Sequence, residues 1–152
     1  MGLKGTKIYS IFTFTCPRCQ EGHLFNKKAT YGSGFTELNK RCEVCDEDFE
    51  REPGFYFGAA YVSYALTVAL WIALFAALTV FDAIELISYD FFEDGLLYFI
   101  LGIVLLIVLL PALYRLSRAI WINFFVAFRK DAVEYNEQRR LEKLARKKAR
   151  QQ

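Results

Sequence analysis

Two long stretches without a charged residue constrain this chain more than any other feature of its sequence. Residues 54–81 form a stretch of 28, and residues 95–114 form a stretch of 20. About 20 apolar residues in a helix cross the hydrocarbon core of a bilayer, where a helix satisfies its own backbone hydrogen bonds. A buried helix pair in a soluble protein would need amphipathic helices to cover it, and the sequence offers none. We predict an all-α two-helix transmembrane hairpin over 54–128, with spans at about 57–80 and 95–114.

The charges around these stretches predict the orientation of the hairpin. The loop over 82–94 has five carboxylates and no Lys or Arg, whereas residues 1–53 have 8 Lys and Arg and residues 115–152 have 11. Because Lys and Arg beside membrane spans stay in the cytoplasm, we expect both termini to be cytoplasmic. The acidic spacing matches no calcium loop, so we interpret the outer loop as a solvated turn.

The segment after the second stretch combines basic and aromatic residues. Pro111 lacks a backbone donor and predicts a bend, and an interfacial helix over 115–128 would place Arg115 and Arg118 at lipid phosphates. Residues 129–152 predict a charged cytoplasmic tail, a basic C-terminal helix without a full apolar face. A solvated helix, contact with anionic lipid and contact with nucleic acid all remain open for it.

The four cysteines lie in two Cys-x-x-Cys pairs ahead of the apolar stretches. The pairs are Cys16 with Cys19 and Cys42 with Cys45. Two such turns can place four thiolates around one tetrahedral zinc ion. A head of this size buries too little surface to fold unaided, and metal binding supplies the missing stability. We therefore predict a small, β-rich zinc-ribbon domain over 1–53, with structural Zn²⁺ as its cofactor.

Other uses of the cysteines are open but less consistent with the pattern. Disulfides need an oxidising compartment, a thioredoxin-like site needs one pair in a strand–helix setting, and an iron–sulfur cluster would also accept four thiolates. His23 would have to replace a thiolate to become a ligand, and we interpret it as a surface residue of the head. Four protein ligands close the site, which disfavours a catalytic metal.

No pattern of catalytic residues stands out in the sequence. Common nucleophile–histidine pairs would have to use His23, the single histidine. The middles of the two spans have no Asp, Glu, Lys or Arg, which disfavours an ion pathway. A stripe of small residues at Ala65, Ala69, Ala73 and Ala77 would allow close helix packing in lipid. We expect a protein that is not an enzyme.

The cysteine motifs and their order resemble those of the bacterial domain-of-unknown-function family 983. The matching pieces, within about residues 14–130, are Cys16-Pro17-Arg18-Cys19, Gly22-His23-Leu24-Phe25, Cys42-Glu43-Val44-Cys45 and Phe49. Gln20 and Asp46 stand where glycine commonly follows each pair, and Pro53–Gly58 stands where Gly-Asp-Gly-Pro is commoner. The resemblance implies an inner-membrane protein with a zinc-ribbon head. Some members are encoded near haem–copper oxidase subunits and assembly factors, which implies a respiratory context.

Three functions follow as hypotheses. The first is a docking or assembly module for a membrane complex, with a membrane-protein partner and the lipid bilayer as its contacts. The second is a membrane-bound metal or thiol-redox sensor. The third is nucleic-acid contact, which the equal numbers of acidic and basic residues in the head disfavour.

Overall fold

The computed structural model describes residues 4–26, 30–32, 34–88, 90 and 92–150. The helices are α1 (Lys7–Thr13), a 3-10 helix (Phe55–Gly58), α2 (Ala59–Ala83), α3 (Gly95–Phe125) and α4 (Ala132–Arg150). The two uncharged stretches form α2 and most of α3, and both helices are long and apolar enough to cross a membrane.

The apolar surfaces of α2 and α3 face outward. Only 6% of the most apolar window of each helix is buried, whereas the core helix of a soluble protein would be mostly covered. The two helices meet where the Trp71 ring lies against Gly102, so closely that a Cβ on Gly102 would overlap the ring. The Tyr98 hydroxyl also donates to the Trp71 carbonyl at 3.0 Å. Ala65, Ala69 and Ala73 of the predicted stripe are exposed, so this stripe does not form the contact with α3.

Helix α3 runs through Pro111 without the division expected between a span and a separate interfacial helix. Its 31 residues continue to Phe125, and the chain becomes extended at Val126. At 1.5 Å per residue the helix is about 46 Å long, well beyond the roughly 30 Å of a hydrocarbon core. The loss of one backbone donor at Pro111 is offset because the following turns pack against the head. Residues 115–125 therefore pack against the head and do not form a separate helix at the membrane surface.

The β-rich ribbon expected for the head is not confirmed. Among the described residues of the head, strand-like pairing is limited to three isolated bridges, Thr15 with His23, Phe25 with Leu38 and Arg41 with Asp48. The physical reason is that the cysteine turns and the short connections between them use most of the backbone, so each pairing stops after one bridge. Helix α1, whose N-cap is Thr6, was not predicted from the sequence.

A single core joins the head to the carboxyl-terminal part of α3. Leu24, Phe25 and Phe49 of the head are buried with Ala119 and Ile122 of α3. Polar contacts reinforce this core. Ser10 Oγ donates to Asn123 Oδ1 at 2.7 Å, and Trp121 Nε1 donates to the Phe55 carbonyl at 2.8 Å.

Arg115 lies in this core and not at a lipid surface. It is 1% exposed, its Nε donates to the Phe35 carbonyl at 3.0 Å, and its guanidinium carbon lies 4.7 Å from the centre of the Phe25 ring. The expectation that Arg115 reaches lipid phosphate is corrected, because the head encloses it. Arg118, one turn further along α3, remains half-buried.

Candidate metal centre

The two cysteine pairs fold into matching turns. The Gln20 amide donates to the Cys16 carbonyl at 2.8 Å, and the Asp46 amide donates to the Cys42 carbonyl at 3.0 Å. Gln20 and Asp46 have φ angles of 59° and 55°, the left-handed conformation that glycine adopts with least strain. This geometry explains why a glycine suits the position after each pair.

The two non-glycine residues are held by different contacts. The Gln20 side chain is buried, accepts from the Gly5 amide at 2.6 Å and donates to the Thr6 carbonyl at 2.8 Å. The Asp46 carboxylate is half exposed and pairs with Arg41 at 3.3 Å. The first turn is thus fixed from inside the head, whereas the second is fixed at the surface.

The matching turns bring the four thiols together. Their sulfur atoms all lie within 4.8 Å of one another, with Cys16 Sγ 3.8 Å from Cys45 Sγ and Cys19 Sγ 3.7 Å from Cys42 Sγ. Four sulfurs placed tetrahedrally at 2.3 Å from a zinc ion would be about 3.8 Å apart. The residues therefore fit a four-thiolate metal ion of this size.

The burial and electrostatics of the thiols also fit a cation. Cys16, Cys42 and Cys45 are buried, and Cys19 is half-buried. Hydrogen bonding to Cys16 lowers the pKa of Cys42 to about 7, whereas hydrogen bonds with the neighbouring thiols and burial raise the pKa of Cys16. Without a positive ion, four thiols this close cannot all ionise, since each thiolate opposes the next.

Gly22 allows the two halves of the site to approach. Its carbonyl accepts from the Cys16 amide at 2.8 Å. A Cβ on Gly22 would overlap Cys42 Sγ. The neighbouring His23 is half-buried, and the group of potential ligands found in the described part of the chain contains cysteines alone. His23 was expected to be a surface residue of the head, and the structure places it there half-buried.

A buried carboxylate beside the second turn connects the site to the rest of the protein. Glu47 is 1% exposed, and its oxygens lie 3.0 Å from Arg18 Nε and 3.2 Å from an Arg51 nitrogen. Burial alone would raise the pKa of Glu47, but hydrogen bonds and charges from Arg18 and Arg51 outweigh burial and lower it. Sequence reasoning missed Glu47, because three consecutive acidic residues at 46–48 resemble a solvated turn.

The beginning of the tail packs on the site. Asn136 Nδ2 of α4 donates to the Cys45 carbonyl at 2.8 Å, and the Tyr135 ring centre lies 5.0 Å from the Arg18 guanidinium. The Arg129 amide donates to the Arg18 carbonyl at 2.9 Å. The first turns of α4 therefore contact both cysteine turns. From the sequence, the tail was expected to be a charged helix in contact with solvent, anionic lipid or nucleic acid.

The fold and the site define a class of protein: a four-cysteine head with the geometry to hold a metal ion, built onto two long helices that are apolar enough to cross a membrane. The chain belongs to the family described as "Protein of unknown function (DUF983)", whose model matches residues 33–125. The match covers Cys42, Cys45 and both long helices and begins after the first cysteine pair. Searches of curated proteins and of solved structures gave no significant match.

Proposed function

We propose that this protein is a docking or assembly module of the bacterial inner membrane, with a structural zinc ion in its head. The observation that carries the proposal is the connection between the four-thiol site and the helices through Glu47, Arg18 and Asn136. These contacts hold the head against the carboxyl-terminal end of α3 and the start of α4. A respiratory oxidase complex is the candidate partner that the family resemblance implies.

Zinc is the ion proposed because the donor set is four thiolates in tetrahedral spacing. When bound, zinc would stabilise the fold of the head and neutralise part of the thiolate charge. Cys16, Cys19, Cys42 and Cys45 would fill all four positions, which leaves no ligand position for a substrate. This is the basis for proposing a role other than catalysis.

The membrane location and orientation rest on α2, α3 and the charges around them. The outward-facing apolar surfaces of both helices need a nonaqueous environment. The acidic loop over 82–94 and the basic residues at both ends support cytoplasmic termini. The head would then face the reducing cytosol, where free thiols persist.

A groove beside the metal centre, lined by both aliphatic and charged side chains, supports the docking role. The groove has a volume of about 290 Å³ and is lined in part by four exposed aliphatic side chains, Val44, Val133, Leu141 and Leu144. We call this groove the Val44 groove. Because it lies between the second cysteine turn and α4, it would exist only while both are in place. A segment of a partner protein would cover the apolar side chains and remove them from water.

Affinity purification in mild detergent tests the docking role. Leu141→Glu places a charge in the Val44 groove, and Ile8→Glu is the matched control on an exposed apolar residue of α1. We expect wild type and Ile8→Glu to recover the same membrane proteins, and Leu141→Glu to lose them while it keeps its metal. Repeated recovery of wild type alone, or unchanged partners with Leu141→Glu, would overturn the proposal.

A metal or thiol-redox sensor is the second candidate. The half-buried Cys19 favours it, because this thiol is the one in the cluster that a chelator or oxidant reaches most directly. A sensor requires exchangeable metal or reversible oxidation. Retention of the metal through millimolar chelator and peroxide would remove this candidate and leave the docking module.

A further inference from the structure

Arg118 has an arrangement that the metal centre and the docking role do not use. Its guanidinium carbon lies 3.5 Å from the centre of the Tyr114 ring and 5.9 Å from the centre of the Tyr56 ring. Among the residues that the structure describes, it has no carboxylate partner and no hydrogen-bond acceptor. The two rings thus hold a planar cation whose N–H donors need an acceptor from outside the protein.

Two further polar groups line the same pocket. The pocket has a volume of about 220 Å³ and lies among Glu50, the start of the first apolar stretch and Arg118. The hydroxyl of Tyr56 is buried, and within the described parts of the chain it has no hydrogen-bond partner. The exposed Glu50 carboxylate likewise takes part in no ion pair there. The pocket therefore combines a cation at Arg118 with a separate anion at Glu50.

The position of this pocket in the chain places it at the edge of the apolar region. It is formed where the first uncharged stretch begins and four residues after the second one ends at Tyr114. Phe57, which also lines the pocket, is 82% exposed. A group bound here would have polar contacts on one side and an apolar surface on the other, which is the environment of a phospholipid headgroup.

We propose that this pocket binds the headgroup of an aminophospholipid. Its phosphodiester would accept hydrogen bonds from Arg118, and its primary ammonium would donate to Glu50. Arginine suits this position because its flat fork of donors matches a phosphate, and aromatic rings orient it by contact with its face. The inference rests on the proposed membrane location, but it does not depend on the docking role.

Native mass spectrometry of the full chain tests the site. The protein, purified in mild detergent, is mixed with equal amounts of phosphatidylethanolamine, phosphatidylcholine and phosphatidylglycerol with identical acyl chains. Wild type should retain phosphatidylethanolamine about tenfold better than either other lipid, because one charge-assisted hydrogen bond from its ammonium accounts for a difference in affinity of this size. Glu50→Gln should abolish this preference, and Arg118→Gln should lower retention of all three lipids about tenfold.

Lys130→Gln is the control, because Lys130 is an exposed cation that does not line the pocket. It should behave as wild type. Glu50→Gln changes an exposed side chain, so it tests the site even if Arg118→Gln fails to fold. Equal retention of the three lipids by wild type, an unchanged preference in Glu50→Gln, or equal losses in Lys130→Gln and Arg118→Gln would each overturn the proposal. These outcomes do not depend on recovery of a partner protein.

Discussion

Arg18 and Glu47 form a buried ion pair in which Arg18 Nε lies 3.0 Å from Glu47 Oε2. Arg18 lies inside the first cysteine turn, and Glu47 lies two residues after the second turn. Another Arg18 nitrogen donates to the Ala127 carbonyl at 3.1 Å, between α3 and α4. One side chain therefore joins both halves of the site to the helices.

Arg18→Met should destabilise the head strongly. Loss of one partner leaves a buried carboxylate without part of its compensation, which costs about 3 kcal/mol. Arg51 remains 3.2 Å from Glu47 and limits the loss. Chemical denaturation of the full chain, followed by tryptophan fluorescence and metal release, measures the effect.

Arg41→Gln is the control for this prediction, since the Arg41–Asp46 pair is about half exposed. An exposed pair of this kind contributes less than about 1 kcal/mol. Equal losses of stability in Arg41→Gln and Arg18→Met would contradict the role assigned to the buried pair.

Substituting glycine after each cysteine pair should have opposite effects. Asp46→Gly relieves a left-handed conformation, by about 1 kcal/mol, and removes only surface pairs, so it should be neutral or stabilising. Gln20→Gly gives the same relief but removes two side-chain hydrogen bonds, so it should be destabilising. Denaturation midpoints measure both variants. A stabilised Gln20→Gly would show that those bonds contribute little.

Gly22→Ala should impair metal binding. The added Cβ would overlap Cys42 Sγ, and relieving such overpacking costs about 1–3 kcal/mol. We expect metal affinity to fall by about tenfold or more. Competition with a chromogenic chelator measures it.

Gly95→Ala serves as the control for Gly22→Ala, because nothing lies within 4 Å of a Cβ at that position. It should leave metal affinity unchanged. Wild-type affinity in Gly22→Ala would show that the turn yields without cost and would contradict the close approach described above.

Removal of the metal should release α4. Asn136 holds the Cys45 carbonyl, so loosening of the second cysteine turn removes an anchor of the tail. Limited trypsin digestion should then cut faster after Arg139 and Arg140. Asn136→Ala should give a partial effect with metal retained, because one buried hydrogen bond contributes about 1 kcal/mol. Identical digestion with and without chelator would contradict this coupling.

The sequence was sufficient for features that depend on local composition. Uncharged stretches identify α2 and α3, and the spacing of Cys16, Cys19, Cys42 and Cys45 identifies the residues that meet in the head. Features that depend on distant contacts were not predictable. The burial of Arg115 and the docking of Asn136 arise from residues 80 and 91 positions away. The expected β-rich head was not found because of local structure: the cysteine turns occupy backbone that longer strands would need.

X-ray absorption spectroscopy at the zinc edge, on the full chain purified in mild detergent, tests directly whether the four cysteines hold a structural zinc ion. We expect one zinc ion per chain with four sulfur ligands at about 2.3 Å, and loss of this signal in Cys42→Ser. Iron in place of zinc, ligands lighter than sulfur, no bound metal, or an unchanged signal in Cys42→Ser would contradict a structural four-thiolate zinc site.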